Sequence, residues 1–461
     1  MKRHRKKDSK ISKKIIFLLS PFIVIYLGIT LFFTNHFYYN SSINGFNISG
    51  KTIDEANASI SSQMENYTLK IYGRNNVFDE MEGVQINLSF DLGDKLIEFK
   101  KNQNPLLWFL GFFNKDNIMQ AQVASYNEEL FNNAFDKLNL FDKENIIEPK
   151  NASFIFKNNK YEIIEENYGS KIDKDILKEK LSNVIRKGES QINLEDEDCY
   201  YNPTYLKDSD IVIETKNKLN SMVDFEITYD IGENSEKIDG NIISQWINVD
   251  EKYNIEIDEN KVKDYVYSLA CDYNTFKDNR EFLTSEGNLI TVSGGNYGWI
   301  IDQQKETEEI IKNIKDKKSI KRELIYSQTA KNRNKDDIGN TYVEINLKKQ
   351  HLWFYKEGSL IVEGDVVTGN ASNNWSTPAG TYRLNYKERD AKLKGEDYLS
   401  DVNYWMPFNN NIGIHDAGWR NEFGGEIYLT NGSHGCVNAP YNVAEAIFKN
   451  IEAGTPIICY Y

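Results

Sequence analysis

The residues with the clearest chemistry lie in two short segments near the C-terminal end of the chain. Ile414-His415-Asp416 is followed, after 17 residues beyond His415, by Ser433-His434-Gly435-Cys436-Val437-Asn438. A cysteine thiolate is a strong nucleophile, and an imidazole can accept the thiol proton and later return it to a leaving group. The pattern therefore predicts acyl transfer through a thioester on Cys436, held as thiolate by a nearby histidine.

The residues around Cys436 suit the other needs of that chemistry. Gly435 allows a turn lined by backbone N–H groups, which can stabilise a developing oxyanion. We expect Ser433 to support this motif and Asn438 to pin the turn through side-chain hydrogen bonds. His415 precedes Cys436 in the chain, whereas papain-like and wall-hydrolase enzymes carry the cysteine first.

A zinc site is the alternative chemistry for the same residues. His434, Cys436 and His415 could supply three ligands and leave an open coordination position. The carboxylates and cysteine pairs of usual zinc sites are missing, so we predict that no metal is bound.

Two further segments are candidates for a substrate groove. Trp405 lies in Trp405-Met406-Pro407-Phe408, and Trp419-Arg420 begins four residues after His415. The aromatic residues can either line a groove or pack in the core. Arg420 can either pair with a substrate carboxylate or remain a solvated charge.

The two segments, taken with three others, resemble the signature of L,D-transpeptidases with the YkuD-like catalytic fold. The others are Gln350-His351-Leu352-Trp353-Phe354-Tyr355, Val367-Thr368-Gly369 and Ser376-Thr377-Pro378-Ala379-Gly380. The likeness covers residues 341–461. It implies that Cys436 is the nucleophile, that His415 accepts and donates the proton, and that His434 is a further site residue. Backbone groups of residues 434–436 would form the oxyanion hole.

The resemblance also implies a substrate, peptidoglycan stem peptides, and no cofactor. Cys436 would attack the third residue of a tetrapeptide stem, and an amine of a neighbouring stem would resolve the thioester into a 3→3 cross-link. Such an enzyme would act in cell wall biogenesis and be sensitive to carbapenems. The alternatives are an L,D-carboxypeptidase, in which water resolves the thioester, and a wall-binding structural anchor. A Cys-His-Asp triad is not implied, because family members often orient the histidine through a backbone carbonyl.

The pattern of residues 341–461 predicts a mostly β domain, a β-sandwich with a late helix. Tyr342–Leu347 alternates apolar and polar residues, as a half-buried strand does. Lys356-Glu357-Gly358 separates two further strands as a hairpin turn. Pro440–Ala453 has an apolar face at helical spacing, starts with proline and is followed by Gly454.

An internal repeat precedes this domain. Asn167-Tyr168-Gly169-Ser170-Lys171-Ile172-Asp173 recurs as Asn296-Tyr297-Gly298-Trp299-Ile300-Ile301-Asp302, and each copy precedes a charged helix with the aspartate at its start. We predict two α+β modules, residues 75–190 and 205–320, followed by a polar linker at 327–340. Both modules resemble the peptidoglycan-binding module often found ahead of L,D-transpeptidase domains.

The N-terminal region predicts a membrane anchor. Residues 1–14 carry a net charge of +7, and residues 15–33 carry none. A run of about 20 apolar residues can cross a bilayer as a helix. The positive-inside rule puts the basic end in the cytoplasm, residues 34–74 outside as a tether and N-terminal segment, and the catalytic domain facing the cell wall. The alternative is a cleaved signal peptide.

Charge and cysteine content exclude several classes. The chain carries −14 and its first 14 residues carry +7, so residues 34–461 carry −21. Residues 34–461 are therefore too acidic to be a good partner for nucleic acid.

If Cys436 is a free thiol, at least one of Cys199, Cys271 and Cys459 is unpaired, and Cys459 fits a small buried residue. The sequence makes no prediction of oligomeric state.

Overall fold

The computed structural model describes residues 8–90, 92–113, 118–119, 122, 124–334, 336–395 and 399–461, with side chains on the first helix from Leu19 onwards. The α-helices are α1 Asp8–Asn35, α2 Ile53–Met64, α3 Gly93–Lys101, α4 Glu128–Phe135, α5 Lys174–Lys187, α6 Asp210–Val223, α7 Gly240–Ser244, α8 Glu259–Tyr273, α9 Gln303–Asp316, α10 Ile427–Asn431 and α11 Tyr441–Asn450. The 3-10 helices are Arg74–Asn76, Gly83–Ile86, Pro105–Phe112 and Asn139–Phe141.

The strands up to residue 209 are β1 Ser42–Ile43, β2 Phe46–Asn47, β3 Thr68–Tyr72, β4 Phe78–Glu82, β5 Ser89–Phe90, β6 Ile118–Met119, β7 Ala124–Ser125, β8 Ser153–Lys157, β9 Lys160–Ile164 and β10 Gln191–Asn193. Those ahead of the C-terminal domain are β11 Ile227–Ile231, β12 Asn234–Ile238, β13 Ile247–Val249, β14 Ile255–Ile257, β15 Arg280–Leu283, β16 Leu289–Val292, β17 Ile300–Ile301, β18 Ile320–Arg322 and β19 Tyr326–Gln328. The C-terminal domain contains β20 Tyr342–Asn346, β21 His351–Lys356, β22 Ser359–Asp365, β23 Gly380–Arg383, β24 Glu388–Lys394, β25 Leu399–Asn409, β26 Ile412–Asp416, β27 Val437–Ala439 and β28 Pro456–Tyr460.

The chain forms two compact units. One comprises the residues up to Ser153 together with Ile164–Ser209, and the other comprises Phe154–Ile163 together with Asp210–Tyr461. Helix α1 includes the uncharged run 15–33. Within the part of the chain that the structure describes, no helix combines the length and apolarity needed to cross a membrane.

The two modules share one fold. In the first, β3 pairs antiparallel with β4 and parallel with β10; in the second, β11 pairs in the same way with β12 and β18. The repeated aspartates, Asp173 and Asp302, are the N-caps of α5 and α9 and accept backbone hydrogen bonds there. The internal duplication predicted from the sequence is therefore present in the tertiary structure.

In the structure, the fold of the first module includes residues ahead of the predicted start at residue 75. Residues 34–74 were expected to be a tether and N-terminal segment, but β3 is the central strand of the module's sheet. Phe37, Ile43 and Ile48 are fully buried in the same core as α2. The repeat motif lies in the second half of each module, so the sequence signal did not extend to the first half.

Two described residues of the segment 327–340, which was predicted to be a polar linker, are buried in the structure. Asp337 is 3% exposed and forms an ion pair with Arg280 at 2.7 Å, and Ile338 is buried. A buried carboxylate needs such a partner, because desolvation otherwise disfavours its charge. The ion pair with Arg280 therefore stabilises Asp337 in its buried position.

The C-terminal domain has two β-sheets. One has the strand order β22-β21-β20-β28-β23, and the other has the order β24-β25-β26-β27. Buried side chains of both sheets and of α11 form one apolar cluster, which includes Phe354, Met406 and Ile447. The domain is therefore mostly β with a late helix, as predicted. Cys459 is fully buried on β28.

The second module continues into the C-terminal domain. Hairpin β15–β16 contributes Phe282 and Val292 to an apolar cluster with Ile458 and Tyr460. The side chain of Asn296, in the repeated Asn-Tyr-Gly turn, donates to the carbonyl of Phe408 at 3.1 Å. This turn therefore supports the sheet that carries the candidate active site.

Candidate active site

Cys436 lies at the end of a tight turn that leads directly into β27. Gly435 has φ +120°, a backbone conformation that disfavours any residue with a Cβ atom. The hydroxyl of Ser433 accepts from Gly435 N at 3.0 Å and donates to Cys436 O at 2.5 Å. Thr377 donates to Gly435 O at 2.6 Å. Three side-chain hydrogen bonds thus fix the turn.

Asn438 does not pin the turn through its side chain, contrary to the sequence-based expectation. Its backbone pairs with Val367, with hydrogen bonds of 2.9 Å in both directions. Among the described residues, its buried Oδ1 atom has no hydrogen-bond partner. An unsatisfied acceptor beside a cavity is available to a ligand donor.

His415 is on β26, which runs parallel to β27 and pairs Ile414 with Val437. Its Nδ1 atom lies 2.9 Å from the carbonyl oxygen of Asp416, so Nδ1 carries the hydrogen and donates it. Nε2 is then the nitrogen that can accept a proton. His415 is 3% exposed, and burial lowers its pKa below the ordinary value of 6.5.

The Cys436 thiol is buried and donates to the carbonyl of Asn411 at 3.5 Å. Burial raises the pKa of this thiol to about 11. With a lowered histidine pKa and a raised cysteine pKa, the resting pair is a thiol and a neutral imidazole. Desolvation of the sulfur therefore works against the resting thiolate that the sequence analysis expected.

Asp416 does not orient the imidazole through its carboxylate. Its carboxylate oxygens accept from Asn403 Nδ2 and Tyr404 N, both at 2.8 Å. Only its backbone carbonyl contacts His415. The geometry has no Cys-His-Asp triad, in line with the sequence analysis.

A cavity of about 200 Å³ joins the candidate site residues. Those of its lining residues that the sequence singled out are His415, Trp419, Arg420, Ser433, His434, Cys436 and Asn438. Leu393, Ser400 and Gly432 complete its lining. The cavity is therefore a single space, next to the nucleophile, in which a substrate can meet both the thiol and the imidazole.

Trp405 occupies a different place from the other groove candidates. It is 7% exposed and packs in a small apolar cluster with Ala391, Val402 and Cys436, and it does not line the cavity. Of the two alternatives that the sequence left open for Trp405, the structure shows packing in the core, because its strand turns the ring inward. Trp419, in contrast, is 51% exposed, and its ring centroid is 5.8 Å from that of His415.

Arg420 also faces the cavity with unused hydrogen-bonding capacity. Its Nε atom is buried and, within the described residues, lacks a hydrogen-bond partner. Burial lowers the pKa of its guanidinium group. A partly desolvated cation without a protein counter-ion favours a bound anion, such as a carboxylate.

The structure adds contacts around the site that the sequence did not indicate. Trp375 stacks on the ring of His434, with centroids 4.0 Å apart. Gln350 is fully buried; its amide accepts from Thr368 N at 2.8 Å and donates to the Thr368 hydroxyl at 2.7 Å. Leu393 and Ser400 lie on the hairpin β24–β25, far from the motif in sequence. No pattern in the sequence connects that hairpin to the nucleophile.

The Gly435 N–H is engaged by Ser433, so it is not free for an oxyanion in this state. The backbone N–H groups of His434 and Cys436 are the other donors of the predicted hole. As for metals, the described residues contain no group of three His, Cys, Asp or Glu side chains arranged to hold an ion.

Comparisons with known families match three parts of the chain. The YkuD family, described as “L,D-transpeptidase catalytic domain”, matches residues 340–459. The PG_binding_4 family, described as “Putative peptidoglycan binding domain”, matches residues 91–193 and 206–321. None of the curated proteins compared with the chain matches it.

Several solved structures are similar in sequence. A cysteine-to-serine mutant of an Enterococcus faecium L,D-transpeptidase is 34% identical, with 54% of this chain and 100% of that chain covered and a TM-score of 0.45. The Ldtfm–avibactam carbamoyl enzyme is also 34% identical and has a TM-score of 0.46. The match covers 54% of this chain and 99% of that chain. The catalytic domain of the E. faecium enzyme acylated by ertapenem is 44% identical and has a TM-score of 0.25. The match covers 26% of this chain and 97% of that domain.

The β-sandwich, the buried thiol and the backbone-oriented imidazole define a cysteine acyltransferase. The sequence identity to relatives that are covered almost completely makes the assignment more specific. The chain belongs to the L,D-transpeptidase family, and it is a cysteine-dependent transpeptidase of peptidoglycan.

Proposed function

We propose that the enzyme forms 3→3 cross-links between peptidoglycan stems, with Cys436 as nucleophile and His415 as general base and acid. The observation that carries this assignment is the hydrogen bond from His415 Nδ1 to Asp416 O, which leaves Nε2 as the proton acceptor in a cavity shared with the thiol. A neutral imidazole is the form that can act as a base.

The proposed reaction has two steps. Nε2 of His415 takes the Cys436 proton as the sulfur attacks the carbonyl of the third stem residue, and the imidazolium then protonates the departing D-Ala amine. An amine of a second stem next attacks the thioester and gives a proton to Nε2. The new amide forms as the C–S bond breaks, and the sulfur recovers its proton. No cofactor takes part.

Mass spectrometry of purified disaccharide-tetrapeptide incubated with the enzyme tests this reaction. We expect a cross-linked dimer lacking one D-Ala. Tripeptide without dimer would instead indicate the L,D-carboxypeptidase alternative, and unchanged substrate would leave only a wall-binding role. Retained activity in excess chelator is also expected; its loss and recovery with zinc would favour a metal site.

The bound stem would use both unsatisfied groups of the cavity. We assign the free carboxylate of the terminal D-Ala to Arg420 and a backbone N–H of the stem to Asn438 Oδ1. Both protein atoms are buried and lack partners among the described residues. His434, Trp375 and Trp419 would form the walls around the stem.

Carbapenem sensitivity is proposed from the same site. The related catalytic domain was solved acylated by ertapenem, and it is 44% identical. We expect ertapenem to add to Cys436 with the mass of one intact drug. The Cys436→Ala variant is the control, and an equal adduct on that variant would contradict the assignment.

The two modules are proposed to hold the enzyme on the wall. Both match a family described as peptidoglycan-binding. We expect the full chain to sediment with purified sacculi, and excess soluble peptidoglycan fragments to release it. Binding that is carried by the active site alone would instead disappear after ertapenem treatment.

The membrane anchor is proposed from the uncharged run 15–33 and from the exposed side chains of α1. The described part of α1 exposes large apolar residues on most of its surface: Leu19, Phe22, Ile23, Val24, Ile25, Leu27, Leu31 and Phe32. With the basic residues inside, the catalytic domain would face the wall. Protease added to intact cells should leave a small membrane-bound N-terminal fragment. A free ectodomain starting near residue 34 would favour a cleaved signal peptide.

A further inference from the structure

The two modules differ by an insertion at one position. In the second, β13 and β14 pair antiparallel and are joined by residues 250–254. The corresponding strands of the first, β5 and β7, also pair antiparallel, but residues 91–123 lie between them. The first module therefore carries about 28 additional residues that the shared fold does not need. These include α3 and the 3-10 helix Pro105–Phe112.

The insertion contacts the point where the chain leaves α1. Lys100 is 8% exposed, and its amine donates to the carbonyl of Phe33 at 2.8 Å, in the last turn of α1. Such a cation satisfies a terminal helix carbonyl and favours the negative end of the helix dipole. Gln103 accepts from Tyr38 N and donates to the Ser41 hydroxyl, both at 2.9 Å. The insertion is thus fixed to the end of α1.

The 3-10 helix lies alongside the C-terminal half of α1. The ring of Trp108 stacks on Phe33 at a centroid distance of 5.9 Å, and Tyr26 contacts the other side of Trp108 at 6.0 Å. Tyr26 also donates a hydrogen bond to Leu106 O. From residue 26 to residue 33 an α-helix rises by about 10 Å. The 3-10 helix therefore lies within about 10 Å of the end of the uncharged run.

The outer surface of this segment is apolar and exposed. We call it the 105–113 surface; its exposed large side chains are Leu106, Leu107, Phe109, Leu110, Phe112 and Phe113, between 39% and 82% exposed. No charged residue occurs from Asn102 to Phe113. A soluble domain gains nothing from exposing six large apolar side chains on one short segment, so such a surface indicates a partner.

We propose that the 105–113 surface is buried in the outer leaflet of the lipid bilayer, beside α1. This inference rests on the proposed membrane anchor. Lipid is the favoured occupant because the surface is continuous with the exposed apolar side chains of α1. Interfacial segments are buried about 5–10 Å into the headgroup and acyl boundary, which agrees with the position along α1. Tyr26 and Trp108 are in contact beside the C-terminal half of α1, and Tyr38 and Tyr39 follow α1 closely in the chain. Aromatic residues of this kind are enriched at membrane interfaces.

The consequence is a fixed attachment. A single helix followed by a tether would let the body tilt freely, whereas a second contact beside α1 restricts the first module to one orientation at the membrane. The second module needs no insertion, because it does not adjoin α1 in the chain.

A pair of labelled full-length variants tests the proposal. Phe113 and Val84 are both 82% exposed apolar residues of the first module. Phe113→Cys and Val84→Cys are made in a chain with Cys271→Ser and Cys436→Ala, labelled with an environment-sensitive fluorophore, and reconstituted in vesicles of phosphatidylethanolamine and phosphatidylglycerol. We expect blue-shifted emission and quenching by a lipid-attached spin label at position 113, and neither effect at position 84.

The outcomes separate the surface from the anchor. If the chain resists carbonate extraction but both labels behave like an aqueous fluorophore, the 105–113 surface does not enter lipid and the anchor stands. If carbonate releases the chain, both proposals are wrong. Energy transfer between labels at position 113 that rises with protein density, without lipid quenching, would identify a second copy of the chain as the occupant and overturn the lipid proposal.

Discussion

Thr377 holds the turn at Gly435 through a side-chain hydrogen bond. Its hydroxyl donates to Gly435 O at 2.6 Å and accepts from Gly369 N at 3.0 Å, and the residue is 1% exposed. The hydroxyl thereby connects the Thr-Pro-x-Gly segment to the cysteine-bearing segment, although 58 residues separate the two in the chain.

Replacing Thr377 should therefore affect both stability and catalysis. Thr377→Val leaves two buried backbone groups without partners, which costs about 2 kcal/mol of folding free energy. We expect kcat to fall more than KM changes, because the oxyanion donor next to Gly435 loses its support. Thr377→Ser keeps the hydroxyl and should retain most activity. Equal kinetics of the valine and serine variants would contradict a positioning role.

The nucleophile assignment predicts a complete loss of cross-linking in Cys436→Ala. Cys436 supplies the thiol of the cavity lining, and the thioester intermediate cannot form without it. The small change in side-chain volume should alter the free energy of unfolding by only about 1 kcal/mol. Dimer yield by mass spectrometry and thermal unfolding are measured on the same preparation. Dimer above the enzyme-free background from a folded variant would show that the sulfur is not the nucleophile.

The pKa shifts of Cys436 and His415 predict how the reactivity of the thiol depends on pH. A resting thiolate would alkylate rapidly with iodoacetamide at all pH values above the acid range. With the pKa of Cys436 raised to about 11, the alkylation rate should instead keep increasing through pH 9 and 10. Transpeptidation should decline in acid with a midpoint below 6.5, since His415 must be neutral to act as a base. A flat alkylation profile from pH 7 upwards would contradict the neutral pair.

The same shifts predict how stability depends on pH. Because the pKa of His415 is lowered in the folded state, its contribution to the free energy of unfolding is complete above pH 6.5. That contribution is lost as the pH falls below 6.5. Because the pKa of Cys436 is raised in the folded state, its contribution to the free energy of unfolding is complete below pH 9.0. That contribution is lost as the pH rises toward about 11. The pH dependence of the free energy of unfolding, measured with denaturant, should therefore differ between Cys436→Ala and the parent only in the alkaline range.

A comparison of Asp416→Asn with His415→Gln tests how the imidazole is oriented. The backbone carbonyl that accepts from Nδ1 remains in Asp416→Asn, so kcat/KM should stay within about tenfold of the parent. The variant should be less stable, because the carboxylate accepts from Asn403 and Tyr404. His415→Gln should be inactive. Loss of activity in Asp416→Asn as severe as in His415→Gln would instead indicate a triad.

Arg420 predicts dependence on the free carboxylate of the donor stem. Arg420→Gln should raise KM roughly tenfold or more for a tetrapeptide with a free terminal carboxylate, since a charge-assisted hydrogen bond contributes about 1.5–3 kcal/mol. An amidated stem should bind the parent and the variant equally well. If the substitution weakens both substrates alike, Arg420 shapes the cavity and does not recognise the carboxylate.

Several local features were predictable because neighbouring residues determine them. The N-caps Asp173 and Asp302 were predicted directly from the sequence. These contacts span two or three residues, so the types and spacing of the side chains are sufficient. The same holds for Gly435, whose positive φ only glycine readily adopts.

The first half of the first module could not be predicted from the same signals. Its central strand, β3, pairs with β10, more than 100 residues later in the chain. Residues 34–74 were predicted to be a tether and N-terminal segment, because the repeat motif that indicated the modules lies in the second half of each copy. Pairing over such a distance depends on the whole fold.

For the active site, the sequence by itself determined the residue types: a thiol, an imidazole and a glycine turn in an order that defines the family. Only the tertiary structure decided their state. It buried the sulfur, gave the imidazole a backbone carbonyl as its partner, turned Trp405 inward and left Arg420 facing the cavity. The physical reason is that burial and hydrogen-bond partners set protonation and orientation, and both come from segments distant in sequence.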